Sequence, residues 1–167
     1  VPHTVNLHQV IELVLSHVEM PPQIEVQRLT GGELPPIRVD AGQLEQVFSN
    51  LILNATQAMP EGGRLTIQTG QIPALPETIE AGFMPLVDGD ESGWIVVAVS
   101  DTGVGIAPEH LARLFQPLFS TKTAGMGLGL ALVKLLTEAN NGGIAVESAP
   151  GQGTVFTTFW PIITENE

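Results

Sequence analysis

The chain has 167 residues, 43% of them hydrophobic and 14% charged, which suits one compact domain burying roughly 70% of the surface its unfolded chain exposes. Eighteen acidic against six basic residues give a formal charge of −12, and Tyr is absent, so nucleic-acid backbones, stacked bases and anionic membrane surfaces are all poor partners. The absence of Cys rules out disulfides, thiol nucleophiles and thiolate metal sites, and no apolar run approaches the ~20 residues of a membrane span.

The stretch from Asn6 to Val18 places Leu7, Val10, Ile11, Val14, Leu15 and Val18 at helical spacing, and Pro21-Pro22 ends it. Ile24 to Leu29 alternates apolar and polar residues as a half-buried strand does. Gly31-Gly32 and Pro35-Pro36 bracket a loop before the short Ile37–Val39 run. From Gly42 to Met59 the apolar set Leu44, Val47, Phe48, Leu51, Ile52, Ala55 and Met59 makes the cleanest helical stripe in the chain, stopped by Pro60-Glu61-Gly62-Gly63. Arg64–Gly70 and Trp94–Ser100 read as strands, the second of the fully buried kind. Between them, residues 71–93 hold Pro73, Pro76, Pro85 and five acidic residues, and read as a long exposed insertion. A short helix is expected after Pro108. Another, from about Met126 to Ala139, carries Leu128, Leu132, Leu135, Leu136 and Ala139 on one face. Ile144–Ser148 and Thr154–Trp160 read as a closing hairpin. Helices mixed with hairpins predict an α+β domain, helices layered on a mixed, mostly antiparallel sheet.

Four constellations carry chemistry. Asp101-Thr102-Gly103-Val104-Gly105 puts an acid after a buried strand, beside bare backbone. An ionised carboxylate only accepts hydrogen bonds, so it reads an exocyclic amine and refuses a carbonyl. The alternative is a strand-ending turn in which Asp101 caps the backbone that follows. A third reading, an aspartic protease, needs paired carboxylates on an all-β framework, which the strong helices contradict.

Gly125-Met126-Gly127-Leu128-Gly129-Leu130 opens a helix, where backbone amides and the helix dipole favour phosphate. The spacing is neither the dinucleotide fingerprint nor a Walker loop, and helix-packing glycines are the plain alternative. Lys122, one of only six cations, sits just upstream in Ser120-Thr121-Lys122-Thr123. On the helix at 42–59, Gln43, Asn50, Asn54 and Gln57 fall within a sector of ~60° at ~100° per residue. Mid-helix Asn is unfavourable unless used. Its amide oxygen is a hard ligand suited to Mg²⁺, and a solvated polar face is the other reading. Gly151-Gln152-Gly153-Thr154 alone indicates only a hairpin turn.

In this order and spacing the four resemble the catalytic, ATP-binding domain of sensor histidine kinases, in the wider group of gyrase, the MutL mismatch-repair proteins and the ninety-kilodalton heat-shock chaperone. The N box is matched by Gln46 to Ala55, the first glycine box by Asp101 to Ile106 and the phenylalanine box by Leu114 to Lys122. Gly125 to Leu130 matches the second glycine box and Gly151 to Phe156 the third. The resemblance runs from about residue 5 to 161.

It implies a two-layer α/β sandwich with about three helices, binding ATP and Mg²⁺. Asp101 would hold the adenine amine, with Thr154 helping through an ordered water. Asn54 would ligate Mg²⁺, and Asn50 would support the phosphates or the metal as a catalytic residue. Gly103, Gly105, Gly125, Gly127, Leu128 and Gly129 would offer backbone to the nucleotide. Thr121 and Lys122 would reach it from the lid, within residues 115–127, with Lys122 on the terminal phosphates. The short lid resembles that of the nitrogen-regulation subgroup.

Two positions depart from the pattern. Gln57 stands where many members have a cation, and Asn140-Asn141 where a His often precedes Gly-Gly. A third decides between branches. The hydrolytic relatives carry a Glu four residues before the Mg²⁺-binding Asn, as a general base; this chain has Asn50 there. Phosphoryl transfer is therefore expected over hydrolysis, with an ATPase, a serine-directed kinase and a degenerate binding domain as the alternatives. The family's phosphoacceptor His is followed by an acid, and by Pro five positions on. His17 has Pro22 but Val18, and His3, His8 and His110 fit worse. The implied partners are a His-bearing dimerisation domain and a response regulator receiver domain, with the full-length protein a homodimer. No signal-peptide pattern opens the chain. A cytoplasmic location is expected, whether or not the parent protein is membrane-anchored.

Overall fold

The computed structural model describes residues 1–89, 92–117 and 129–163. In chain order its elements are β1 (His3–Val5), α1 (Leu7–His17), β2 (Ile24–Leu29), β3 (Ile37–Val39), α2 (Ala41–Gln57), β4 (Gly63–Ile72), β5 (Ala81–Phe83), β6 (Trp94–Asp101), α3 (Pro108–Leu111), α4 (Gly129–Ala139), β7 (Gly143–Ser148) and β8 (Thr154–Pro161).

The two N-terminal helices start where a side chain satisfies their orphan amides. Asn6 accepts from the His8 and Gln9 amides to open α1, and Asp40 accepts from the Gln43 amide at 3.0 Å to open α2. The α2 stripe buries Leu44, Val47, Phe48, Leu51, Ile52 and Ala55, as its spacing predicts. Beneath it lies a six-stranded sheet in the order β2-β4-β6-β8-β7-β5, parallel between β2 and β4 and antiparallel elsewhere. Alternate residues of β6 and β8 face the helices, and Phe48 meets Trp160 edge-on at 5.9 Å in the middle of the core. The fold is the expected mixed α+β domain with a mostly antiparallel sheet. β1 pairs with β3 in a separate antiparallel ribbon; three residues of β1 are too few to show a period.

Two readings need correction. The insertion at 71–93 is not all loop. β4 runs on to Ile72, and Ala81–Phe83 pairs antiparallel with β7 as the sheet's last strand. Three residues among prolines and acids carry no readable alternation.

The second correction concerns α4, which is described from Gly129 onward. Its buried residues are Val133 and Thr137, while Leu132 and Leu135 are 36% and 65% exposed. Leucines stand all round this helix, so spacing alone does not fix its rotation. A polar residue does. Asn140, 5% exposed at the helix end, accepts from the Asp40 amide at 2.9 Å and donates to Gln43 Oε1 and Leu136 O, both at 2.8 Å. Asn141 then turns left-handed at φ 63°, and the Gly142 amide closes on Thr137 O at 2.8 Å, the paired closure that ends many helices.

Candidate functional site

The strand register assembles one end of the site. Asp101 is opposite Thr154 across β6 and β8, and Thr154 is opposite Ser148 across β8 and β7. Partners in a register share a face of the sheet, so the three side chains form a row on the helix side. Asp101 and Thr154 are 5% and 4% exposed. The carboxylate cannot stand buried without donors, and its Oδ1 accepts from the Gly103 amide at 2.8 Å. The capping role considered for Asp101 is therefore real. It is compatible with ligand recognition, because a carboxylate has about four lone-pair sites.

The loop after Asp101 is clamped from both sides. The Val104 amide donates to Ala58 O at the end of α2, and the Gly151 amide donates to Val104 O. Any Cβ on Gly103 would collide with the Ala58 carbonyl, and one on Gly105 with the Ala149 carbonyl. Gly105 also sits at φ 75°, a conformation open to glycine at no steric cost. These glycines thus bring the first glycine box against α2 and against the turn of the β7–β8 hairpin. Val104 between them is 63% exposed, an apolar side chain at the lip.

The other end lies along α2. Asn50 Nδ2 donates to Gly129 O at 3.1 Å, and Gln46 Nε2 donates to Asn50 Oδ1 at 2.7 Å. The structure so joins two residues predicted from separate boxes, one in mid-helix and one at the start of α4. Asn54 is half-buried one turn further on. From Asn50 to Ala58 the helix advances about 12 Å. Gln43, placed on the same polar shoulder by spacing, is drawn instead to Asn140. The phenylalanine box is described as far as Pro117. Within it Phe115 meets Phe83 of β5 edge-on at 5.2 Å, with Lys134 Nζ 5.7 Å from the Phe83 ring. Thr121, Lys122, Gly125, Gly127 and Leu128 lie outside the described residues.

Sequence reasoning missed Ser148 and the Ala58 carbonyl, and named Gln46 only as the first residue of the N box, without its contact to Asn50. Only the hairpin register reveals Ser148. The i, i+4 spacing of Gln46 and Asn50 is the signal that would have shown their contact.

Residues 39–164 match the sequence profile of the histidine kinase-, DNA gyrase B-, and HSP90-like ATPases. The chain belongs to that family. Within it, the chain is 40% identical over 146 residues to the sensor kinase CckA of Brucella abortus, covering 86% of this chain and 15% of CckA. It is 36% identical over 163 residues to the sensory histidine kinase/phosphatase NtrB of Vibrio alginolyticus, covering 95% of this chain and 43% of NtrB. Its fold superposes on a mycobacterial sensor histidine kinase, MprB, with a TM-score of 0.75 at 26% identity over 96% of this chain and 97% of that one. The chain is thus a histidine kinase catalytic domain in sequence and in fold, of the ATP-binding kind, and the NtrB relative accords with the nitrogen-regulation subgroup. It spans less than half the length of these curated relatives. Among the described residues no helix is long and apolar enough to cross a membrane.

Proposed function

We propose that residues 1–167 act as one domain that binds Mg·ATP and transfers the γ-phosphoryl group to a histidine on a separate dimerisation domain of the same homodimeric sensor kinase, which then serves a response regulator. The observation that carries this reading is the amide at position 50. Asn50 is held between Gln46 and Gly129 O, at the position where the hydrolytic relatives hold a carboxylate. An amide cannot take a proton from water, so the site is equipped to position phosphates and await a nucleophile from outside.

The residues fit a divalent cation of the magnesium kind. Among those described, no three His, Asp or Glu cluster, so any ion held here relies on amide oxygens, waters and the nucleotide itself, the coordination Mg²⁺ prefers. Asn54 would ligate the ion, and Asn50, held by Gln46 and Gly129 O, would support the phosphates or the metal. When bound, Mg²⁺ would neutralise charge on the β- and γ-phosphates. Asp101, with Thr154 beside it, would hold the adenine amine. Gly103, Gly105 and Gly129 would present backbone, and Thr121, Lys122, Gly125, Gly127 and Leu128 would close over the phosphates. In the transfer the acceptor imidazole nitrogen forms the P–N bond, the bond from the γ-phosphorus to the bridging oxygen breaks, and ADP leaves.

The test mixes the chain with Mg·ATP and a His-bearing helical domain of its parent. Phosphohistidine, acid-labile and alkali-stable, is expected on the added domain and not on the chain. High concentrations are needed, because separated domains lose the effective concentration that a linker provides. Self-labelling at His17 would sink the reading, and steady phosphate release without acceptor would move the chain to the ATPase branch.

A further inference from the structure

Ser148 lies outside the five boxes, yet its hydroxyl is in contact with two of them. Its Oγ lies 2.8 Å from the Ile106 amide, 2.9 Å from Gly153 O and 2.8 Å from Thr154 Oγ1. A serine hydroxyl has one hydrogen and two lone pairs. The Ile106 amide can only donate and the Gly153 carbonyl can only accept. Ser148 therefore receives the first and gives its hydrogen to the second, which leaves one lone pair facing Thr154. The Thr154 hydroxyl must donate to it. In the opposite assignment Ser148 donates to Thr154, and the Gly153 carbonyl, in a buried residue, loses this donor.

We propose that Ser148 is a specificity-determining positioning residue: by fixing the direction of the Thr154 hydroxyl, it leaves the base end of the site able only to accept hydrogen bonds. This rests on the reading of Asp101 and Thr154 as the base contacts. Thr154 has spent its hydrogen on Ser148, and its remaining capacity is lone pairs. Asp101, its register partner, offers lone pairs as well. A 6-amino purine supplies the donor such a pair requires; a 6-oxo purine presents a third acceptor. A bridging water changes nothing in this logic. Between two acceptors it spends both hydrogens on them and turns its oxygen to the base, so it too takes an amine and rejects a carbonyl.

The test titrates the 167-residue chain with ATP and with inosine triphosphate, which differ at the 6-position and in the proton on the adjoining N1. Wild type prefers ATP. In Ser148→Ala the Thr154 hydroxyl is released to donate, and the preference for ATP falls about tenfold, the effect of one ordinary hydrogen bond, mainly through tighter binding of inosine triphosphate. Ser148→Thr, which keeps the hydroxyl, retains the wild-type ratio. A merely structural role weakens both nucleotides in parallel and leaves the ratio unchanged; that result overturns the proposal. Should circular dichroism show Ser148→Ala unfolded, Thr154→Val decides. Loss of an acceptor weakens ATP while inosine triphosphate binds as before or better. Equal weakening of both shows that the hydroxyl does not discriminate between them, and selective weakening of inosine triphosphate shows that it was donating; either overturns the proposal. Wild type that binds neither nucleotide, or Asp101→Asn that binds ATP undiminished, overturns the base-site reading and the proposal with it.

Discussion

Asn54, proposed as the Mg²⁺ ligand, allows the site to be tested at a single amide. It stands half-buried on the flank of α2, away from the stripe that packs on the sheet, so removing its side chain opens no core cavity. Asn54→Ala is expected to leave the circular dichroism spectrum unchanged and to abolish the Mg²⁺ dependence of nucleotide affinity. Loss of a ligand should weaken binding in the presence of Mg²⁺ by roughly 10- to 100-fold. Calorimetric titrations with Mg²⁺ and with a chelator measure this, and identical Mg²⁺ responses from wild type and variant would remove Asn54 from the metal. The residues of the candidate site stood out in the sequence because each combines an awkward residue type with its place: an acid after a buried strand, Asn within a helix, glycines at alternate positions. Ser148 was not, because a serine on a strand is unremarkable until the register shows what lies across from it. Thr137, whose buried hydroxyl has no hydrogen-bond partner among the described residues, is a position the site does not explain.

Helix α4 shows where reading by element runs out. Its existence was plain from the glycines before it and the apolar content within it. Its rotation was not, since five leucines between 128 and 136 supply an apolar face in more than one direction. The rotation is set by long-range polar contacts that no local period encodes. Asn140 bridges 100 positions of sequence to the Asp40 amide and 97 to Gln43, tying the end of α4 to the start of α2. Asn140→Ala is therefore expected to destabilise the domain by about 2–3 kcal/mol, since it strands a backbone donor and a side-chain acceptor that are part-buried. The urea midpoint should fall with the slope unchanged. A midpoint within error of wild type would reduce this link to a surface contact. β5 escaped notice for a related reason. Its partner β7 lies some 60 residues on, and three residues pair only because the sheet already offers an edge.

Across the whole molecule, the helices cover one face of the sheet and the chemistry gathers at one end of it. β6 runs from Trp94 to Asp101, so at about 3.4 Å per residue its ends are roughly 24 Å apart. Most of this architecture was legible because the binary pattern of each long element agrees with the layer it joins; the order of the strands was not, because a strand's own pattern does not name its neighbours. The two indoles lie at the end of the sheet far from Asp101. Trp94 is opposite Pro161, and Trp160 opposite Ile95, on the other face. Both are buried, at 3% and 0% exposure, and Trp160 donates its ring N–H to Thr158 Oγ1 at 2.8 Å. With no Tyr in the chain, these two rings account for essentially all of its ultraviolet emission. The protein therefore carries a fluorophore on each side of its sheet, both remote from the proposed nucleotide site around Asp101. Saturating ATP should leave the emission maximum in place, whereas urea should shift it to the red in one cooperative step. A marked spectral change on adding nucleotide alone would mean that the far end of the sheet feels the ligand.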